Sequence, residues 1–265
     1  MDLNPLLLPE RLPRQIIYAG DRYCEVFILA QKRIVQRTRL DGVTLAETDG
    51  DRWPEIASRL QPQDTGVVLN SEPFIFNFFE FDRLPWSRKL LRELVEWKLQ
   101  KIFPENIAAY DHQFFRLNRK RVFSILAKRS FLEHLETLFR ESRIPLIFIG
   151  SSTLEIMNRM SRLKTVPDFF MEIDEASCSL VFQHQGRPVY IRKFKIASRL
   201  ETAAEISRTV QFVKSSYGCQ ARSYFIIDHR QQDAADSLAA ELAAENLTRL
   251  SAAAAGKTPF IPGSQ

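Results

Sequence analysis

The same order of apolar runs occurs twice in this chain, and it constrains the fold more than any other feature. Near residue 15 the runs are QIIYAG, YCEVFILA and RIVQRTRL, separated by the two-residue breaks DR and QK. Near residue 168 a strand at 168–173, a strand at 177–183 and a strand at 188–194 repeat the pattern, with the second turn at QG. Short apolar runs with such breaks predict an antiparallel meander. Each meander is followed by helical and strand patterns: RWPEIASRL then TGVVLNS in the first copy, and a helix then SYFIID in the second. The duplication is one of architecture and not of sequence. It predicts an α/β protein of two like lobes, 14–164 and 165–265, behind a Pro-broken tail at 1–13.

Between the copies, at about 74–145, lies an inserted α+β unit. PFIFNFFEF places Phe74, Phe76 and Phe78 on one side of a strand by its period of two. Ser87 is set to cap a helix reaching Phe103, with Leu91, Leu94, Val95 and Ile102 as its apolar stripe. The hairpin YDHQFFRL/RVFSILAK follows, and its turn RLNRKR (116–121) reads as a solvated basic loop. Ser130 with Glu133, Ser152 with Glu155 and Ser198 with Glu201 all have capping-box spacing. Ala203, Ile206, Val210, Val213 and Tyr217 form the stripe of a helix that Gly218 ends. QQDAADSLAAELAAENL predicts a last helix.

Composition excludes several classes. The net charge of +5 comes from scattered Lys and Arg, which favours an anionic surface or acidic partner without demanding nucleic acid. Cys24, Cys178 and Cys219 lack C-x-x-C spacing and fit a reducing compartment. No zinc spacing occurs, no G-x-S-x-G elbow occurs, and no window of 18 apolar residues predicts a membrane span. The N-terminal stretch MDLNPLLLPERLPR does not read as a secretory leader. His112, His134, His184 and His229 are isolated and read as surface or edge residues.

The duplicated meander with an inserted unit resembles the actin-like (ribonuclease-H-like) ATPase fold. Within it, residues 71–117 are similar to the PilM family of type IV pilus assembly proteins: Pro85, a helix carrying Glu93, Glu96 and Lys98, then Pro104, Tyr110 and Asp111. GRPVYIRKFKI with a helix ending VKSSYG is similar to that family's second lobe. RVFSILAKRSFLEHLETLFRESRIPLIFI is similar to its strand, helix and glycine-poor strand. The likeness spans about 14–250 and extends equally to the cytoplasmic domain of GspL-type proteins of type II secretion. It implies a cytoplasmic scaffold on the inner face of the inner membrane. Its partners would be a PilN-like or GspM-like membrane protein and a cytoplasmic motor ATPase; homo-oligomerisation stays open.

The resemblance also implies where a nucleotide would sit, and there the residues depart from the pattern. Phosphate loops need glycine so that backbone N–H groups approach the oxygens closely. The first loop, expected as D-x-G-[ST], reads Tyr18-Ala19-Gly20-Asp21-Arg22-Tyr23. The second, expected as D-x-G-x-x-S, reads Glu172-Ile173-Asp174-Glu175-Ala176-Ser177, so Asp174 brings charge and a Cβ to the position of a glycine. A Gly-Gly pair is expected after the strand at 223–227; the chain has Asp228-His229-Arg230. The expectation is a degenerate site: no catalytic residue, no metal, and no cofactor beyond weak Mg-ATP through Asp21, Arg22 and a metal on Glu172. Two alternatives remain: an active actin-like ATPase, and a two-metal nuclease using Asp21, Glu172, Asp174 and Asp228. A sugar-kinase-like enzyme is disfavoured by the missing glycine loops.

Phe76 and Phe78 are core residues or, with Trp86, anchors in a groove for a partner peptide. The tail LNPLLLP (3–9) is similar to the I-N-L-L-P docking peptide of PilN-like proteins.

Overall fold

The structure is a computed structural model that describes residues 13–31, 33–43, 45, 52–70, 73–104, 107–160, 167–184, 187–196, 198–218, 221–229 and 248–249. The tail, the expected helix at 231–247, Cys219 and the turn at Gly186 lie outside the described residues.

Two five-stranded sheets share one topology. In the first lobe β1 (Gln15–Ala19), β2 (Tyr23–Ala30) and β3 (Arg33–Asp41) form the meander. After α1 (Trp53–Ala57), β4 (Thr65–Leu69) adds parallel to β1. β5 (Phe74–Glu80), α2 (Arg88–Ile102), β6 (Tyr110–Arg116), β7 (Arg121–Lys128) and α3 (Arg129–Glu141) follow, and β8 (Leu146–Ser151) completes the order β3-β2-β1-β4-β8. After α4 (Ser152–Met160) the second lobe repeats this with β9 (Phe169–Ile173), β10 (Ser177–His184), β11 (Arg187–Lys195), α5 (Arg199–Tyr217), β12 (Ser223–Asp228) and β13 (Thr248–Arg249), in the order β11-β10-β9-β12-β13. The antiparallel meander and the parallel additions match position for position. This is an α/β, two-lobe architecture.

The inserted unit is the three-stranded sheet β5-β7-β6. Its two faces divide as the period of a strand requires. Phe79, Val122 and Leu126 pack under Leu91, Val95 and Leu99 of α2, whereas Phe74 and Phe123 join the core of the first lobe. That core also takes in Phe170 and Val181 of the second lobe, so apolar packing runs unbroken across the lobe boundary. In the second lobe α5 presents Ile206, Val210 and Val213 to the sheet. Gly218 ends α5 with φ +63°, a left-handed conformation that glycine adopts without strain.

The helix starts differ in part from the sequence pattern. Ser87 caps α2, accepting from the Leu90 N–H at 3.4 Å, and Ser198 caps α5, accepting from the Glu201 N–H at 3.3 Å. Ser130 does not cap α3: Lys128 occupies that position with no side-chain bond. Ser152 is already inside α4, because β8 runs straight into that helix. Ile102 is not part of the buried stripe either; it is exposed, and Leu99 takes its place. Cys24 and Cys178 are buried.

Candidate functional site

The β1–β2 turn of the first lobe and the β9–β10 turn of the second meet face to face. Both are built alike: the Gly20 N–H donates to Tyr23 O and the Asp174 N–H donates to Ser177 O, each at 2.9 Å. Each then gives a carboxylate to the other. Asp21 Oδ2 accepts from the Ala176 N–H at 2.9 Å and from Ser177 Oγ at 2.8 Å. Asp174 Oδ2 accepts from the Asp21 N–H at 3.1 Å, and its Oδ1 accepts from the Glu175 N–H at 2.8 Å. Asn70, just past β4, donates its side-chain amide to Asp21 Oδ1. Backbone N–H groups converging in a turn form an anion site. Here the anion that each turn holds is an aspartate of the opposite turn.

Gly20 persists for a local reason. A Cβ there would lie 2.4 Å from the Tyr23 ring and 2.9 Å from Asp174 Oδ2. The missing side chain therefore admits the tyrosine and the crossing carboxylate.

Around this clasp lies a second buried layer. Glu172, 4% exposed, accepts from Thr153 Oγ of α4 at 2.5 Å. Its other oxygen is 3.4 Å from His229 Nε2. The His229 N–H donates to Ile173 O at 2.9 Å, and its ring stacks on Tyr18 with centroids 4.8 Å apart. His229 is thus an interior residue at the lobe boundary, contrary to its sequence reading as a surface or edge histidine. Arg39 adds a further strap: it stacks over Tyr23 at 3.7 Å and pairs with Glu25, Asp41 and, across the boundary, Glu175.

Burial, and then the neighbouring Asp21 charge, push the Asp174 carboxyl up to about 6, against the opposing pull of His229 and two backbone N–H groups. Burial drags the His229 imidazole down, but the hydrogen bond and charge of Glu172, with Asp174 behind them, outweigh it and hold the group above its ordinary value. Asp174 therefore keeps its proton to higher pH and His229 keeps its charge to higher pH. Both shifts reduce the net negative charge of the cluster.

The structure brings Gly20, Asp21, Asp174 and Ser177 into one constellation, with Glu172 one layer beneath. Asp228 ends β12 opposite Ile173, half-buried. Arg22 has an exposed side chain, and its backbone carbonyl accepts from the Gly42 N–H; among the described residues its guanidinium does not join the clasp. Among the described residues no group of three His, Cys, Asp or Glu side chains has metal-binding geometry. The residues that sequence reasoning passed over are Asn70, Thr153 and Arg39. None belongs to either turn: Asn70 follows β4, Thr153 is in α4 and Arg39 is on β3, and only the duplicated topology, which brings these elements beside the two turns, could have pointed to them.

Phe76 and Phe78 lie on the other face of β5 and pack on Phe123, Phe76 stacked with centroids 6.0 Å apart and Phe78 tilted at 4.9 Å. They look toward the second lobe, where Lys193 lies over Phe76, and Arg121 lies over Phe78 and over Tyr217. Arg121 also donates to Val189 O at 3.0 Å, and Arg187 to Leu117 O at 2.7 Å, closing the seam between subdomain and second lobe. Trp86 does not join them. It stands 80% exposed before α2, beside Arg116.

No protein-family model matches this sequence, and no curated protein matches it at the level of sequence. The fold does have solved counterparts. A PilM-PilN type IV pilus biogenesis complex is similar with a TM-score of 0.70 and 13% identity, over 94% of this chain and 90% of that one. The cytoplasmic domain of EpsL, an inner-membrane component of the type II secretion system of Vibrio cholerae, is similar with a TM-score of 0.57 and 7% identity, over 87% and 95%. A Bacteroides thetaiotaomicron protein with an actin-like ATPase fold is similar with a TM-score of 0.58 and 10% identity, over 94% and 92%. Identities this low speak for fold alone, and with the two matching sheets they give the conclusion: this chain has the actin-like ATPase fold, in the form seen in PilM and the cytoplasmic domain of EpsL.

Proposed function

We propose that the protein is a scaffold of a type IV pilus or type II secretion assembly at the inner membrane, and that its nucleotide site has become a structural clasp. The observation that carries this reading is the exchange of aspartates between the two turns. An incoming phosphate would have to displace Asp21 from the Ala176 N–H and Ser177 Oγ, and Asp174 from the Asp21 N–H. It would also bring negative charge to a site already holding two carboxylates. The lobes are then held in one arrangement rather than closed by ATP. The fold shared with PilM and EpsL over nearly the whole chain supports the assembly role, with a PilN-like or GspM-like membrane protein as partner and a motor ATPase on the cytoplasmic side.

The partner would dock at the seam by Phe76 and Phe78, where aromatic faces and the Arg121 guanidinium border one another. Fluorescence polarisation with a labelled I-N-L-L-P-type peptide tests this. The expected result is binding that weakens about tenfold or more in Phe78→Ala, the usual cost of removing an aromatic anchor. Equal affinity of the variant, with folding intact, would assign these rings to the core alone.

A further inference from the structure

Arg116, Arg119 and Lys120 of the basic turn, unlike Leu117 and Arg121, have no part in the clasp or the seam, and they lie beside Trp86 and the start of α2. Phe81 N–H donates to Lys120 O at 2.9 Å and Leu84 N–H to Arg119 O at 3.0 Å. Arg116 donates to Pro85 O and lies over the Trp86 ring at 5.8 Å. One end of the inserted subdomain therefore carries Arg83, Arg88, Lys89, Arg116, Arg119 and Lys120, all exposed. None of them has a carboxylate partner within 4 Å among the described residues. Glu80, Asp82, Glu93 and Glu96 are the acids between residues 80 and 101, against Arg83, Arg88, Lys89, Arg92, Lys98 and Lys101 in the same span, so a cationic excess remains. Trp86 stands just before α2, and from there exposed Leu90 and Trp97 recur at helical spacing on the outward side of the helix, opposite the buried Leu91, Val95 and Leu99. Lys101 lies over Trp97 at 3.7 Å.

We propose that this face, Trp86 with the surrounding cations and the outer side of α2, rests on an anionic lipid surface. Charge complementarity selects the occupant. Each Lys or Arg near an anionic bilayer adds to the attraction, and unpaired side chains lose no internal salt bridge on contact. The aromatic element agrees. Indole rings settle at the level of the headgroups, and a basic amphipathic helix with outward Trp and Leu lies in the interface plane. A peptide would instead need a concave groove, and the outer side of a helix is convex. The scaffold reading attaches the protein through a membrane-anchored partner; this contact is direct and stands whether or not that partner exists.

The test uses the purified chain and vesicles free of protein. Trp53 is buried, so a shift of tryptophan emission reports mainly on Trp86 and Trp97. Sedimentation with mixed phosphatidylglycerol–phosphatidylcholine vesicles should show binding with a blue shift, absent with pure phosphatidylcholine and lost as salt screens the charges. Arg119→Glu with Lys120→Glu should weaken binding about tenfold or more, and Trp86→Ala should reduce the blue shift. Arg33→Glu with Arg59→Glu, exposed residues of the first lobe, changes net charge equally and should leave binding intact. The proposal is overturned by no binding to anionic vesicles at low salt. Equal loss in the first-lobe control, or retention of a labelled single-stranded oligonucleotide in preference to vesicles, overturns it too.

Discussion

Removing the Asp21 carboxylate should loosen the joint between the lobes. In Asp21→Ala the Ala176 N–H, the Ser177 hydroxyl and the Asn70 amide all lose their acceptor. Hydrogen bonds to a charged group contribute about 1.5–3 kcal/mol each. Two terms reduce the loss. The turn is only partly buried, so water replaces some of these bonds, and Asp174 is freed of a neighbouring charge. Raising Asp174 from its ordinary value to about 6 corresponds to about 3 kcal/mol in all, and burial is the larger cause, so the relief is on the order of 1 kcal/mol. A net loss of about 2–4 kcal/mol remains, measurable by urea denaturation as a lowered midpoint. The pH dependence is a second signature. Asp174 titrates near 4 in an unfolded chain and at about 6 when folded. The folded state thus holds this proton more tightly, and the group's contribution to stability falls as pH rises from about 4 to 6. His229 acts in the same direction: its folded value is raised, so its contribution is full below its unfolded value near 6.5 and is lost as pH rises through the higher folded one. Asp21→Ala should flatten the fall between pH 4 and 6. Unchanged stability, or an unchanged slope, would refute the clasp as the source of either effect.

Other outcomes follow from single contacts. Gly20→Ala should destabilise by about 1–3 kcal/mol, because the new methyl meets the Tyr23 ring at 2.4 Å and Asp174 at 2.9 Å; thermal melting reads this. Ser198→Ala should cost about 1 kcal/mol, the value of an N-cap, whereas Ser130→Ala should be near neutral, since Ser130 does not cap α3. In Glu172→Gln the His229 imidazole should titrate at lower pH than in the parent, followed by NMR of its ring protons; an unmoved titration would exclude Glu172 as the main cause of the raised value.

The repeated meander was legible in the sequence because strand patterning and turn residues are local, and the insertion showed itself by interrupting the repeat. The caps at Ser87 and Ser198 were legible for the same reason. Ser130 and Ser152 misled because serine–glutamate spacing recurs wherever a strand passes into a helix, and the continuous backbone from β7 into α3 and from β8 into α4 moved the caps upstream. Asp174 was read as an obstacle to phosphate, but its role as an acceptor was not legible: its donor, the Asp21 N–H, lies 153 residues away. His229 was misplaced for a similar reason. It lies at the end of a strand, where exposure is the ordinary expectation, and only the docking of the two lobes encloses it between Tyr18 and Glu172.

In this reading the paired turns hold each other's aspartates in place of phosphate. Calorimetric titration of the folded protein with Mg-ATP, with ADP as control, tests it most directly. No binding heat is expected at a protein concentration of about 100 µM; binding tighter than about 10 µM, roughly −7 kcal/mol, would overturn the clasp and restore a working nucleotide site.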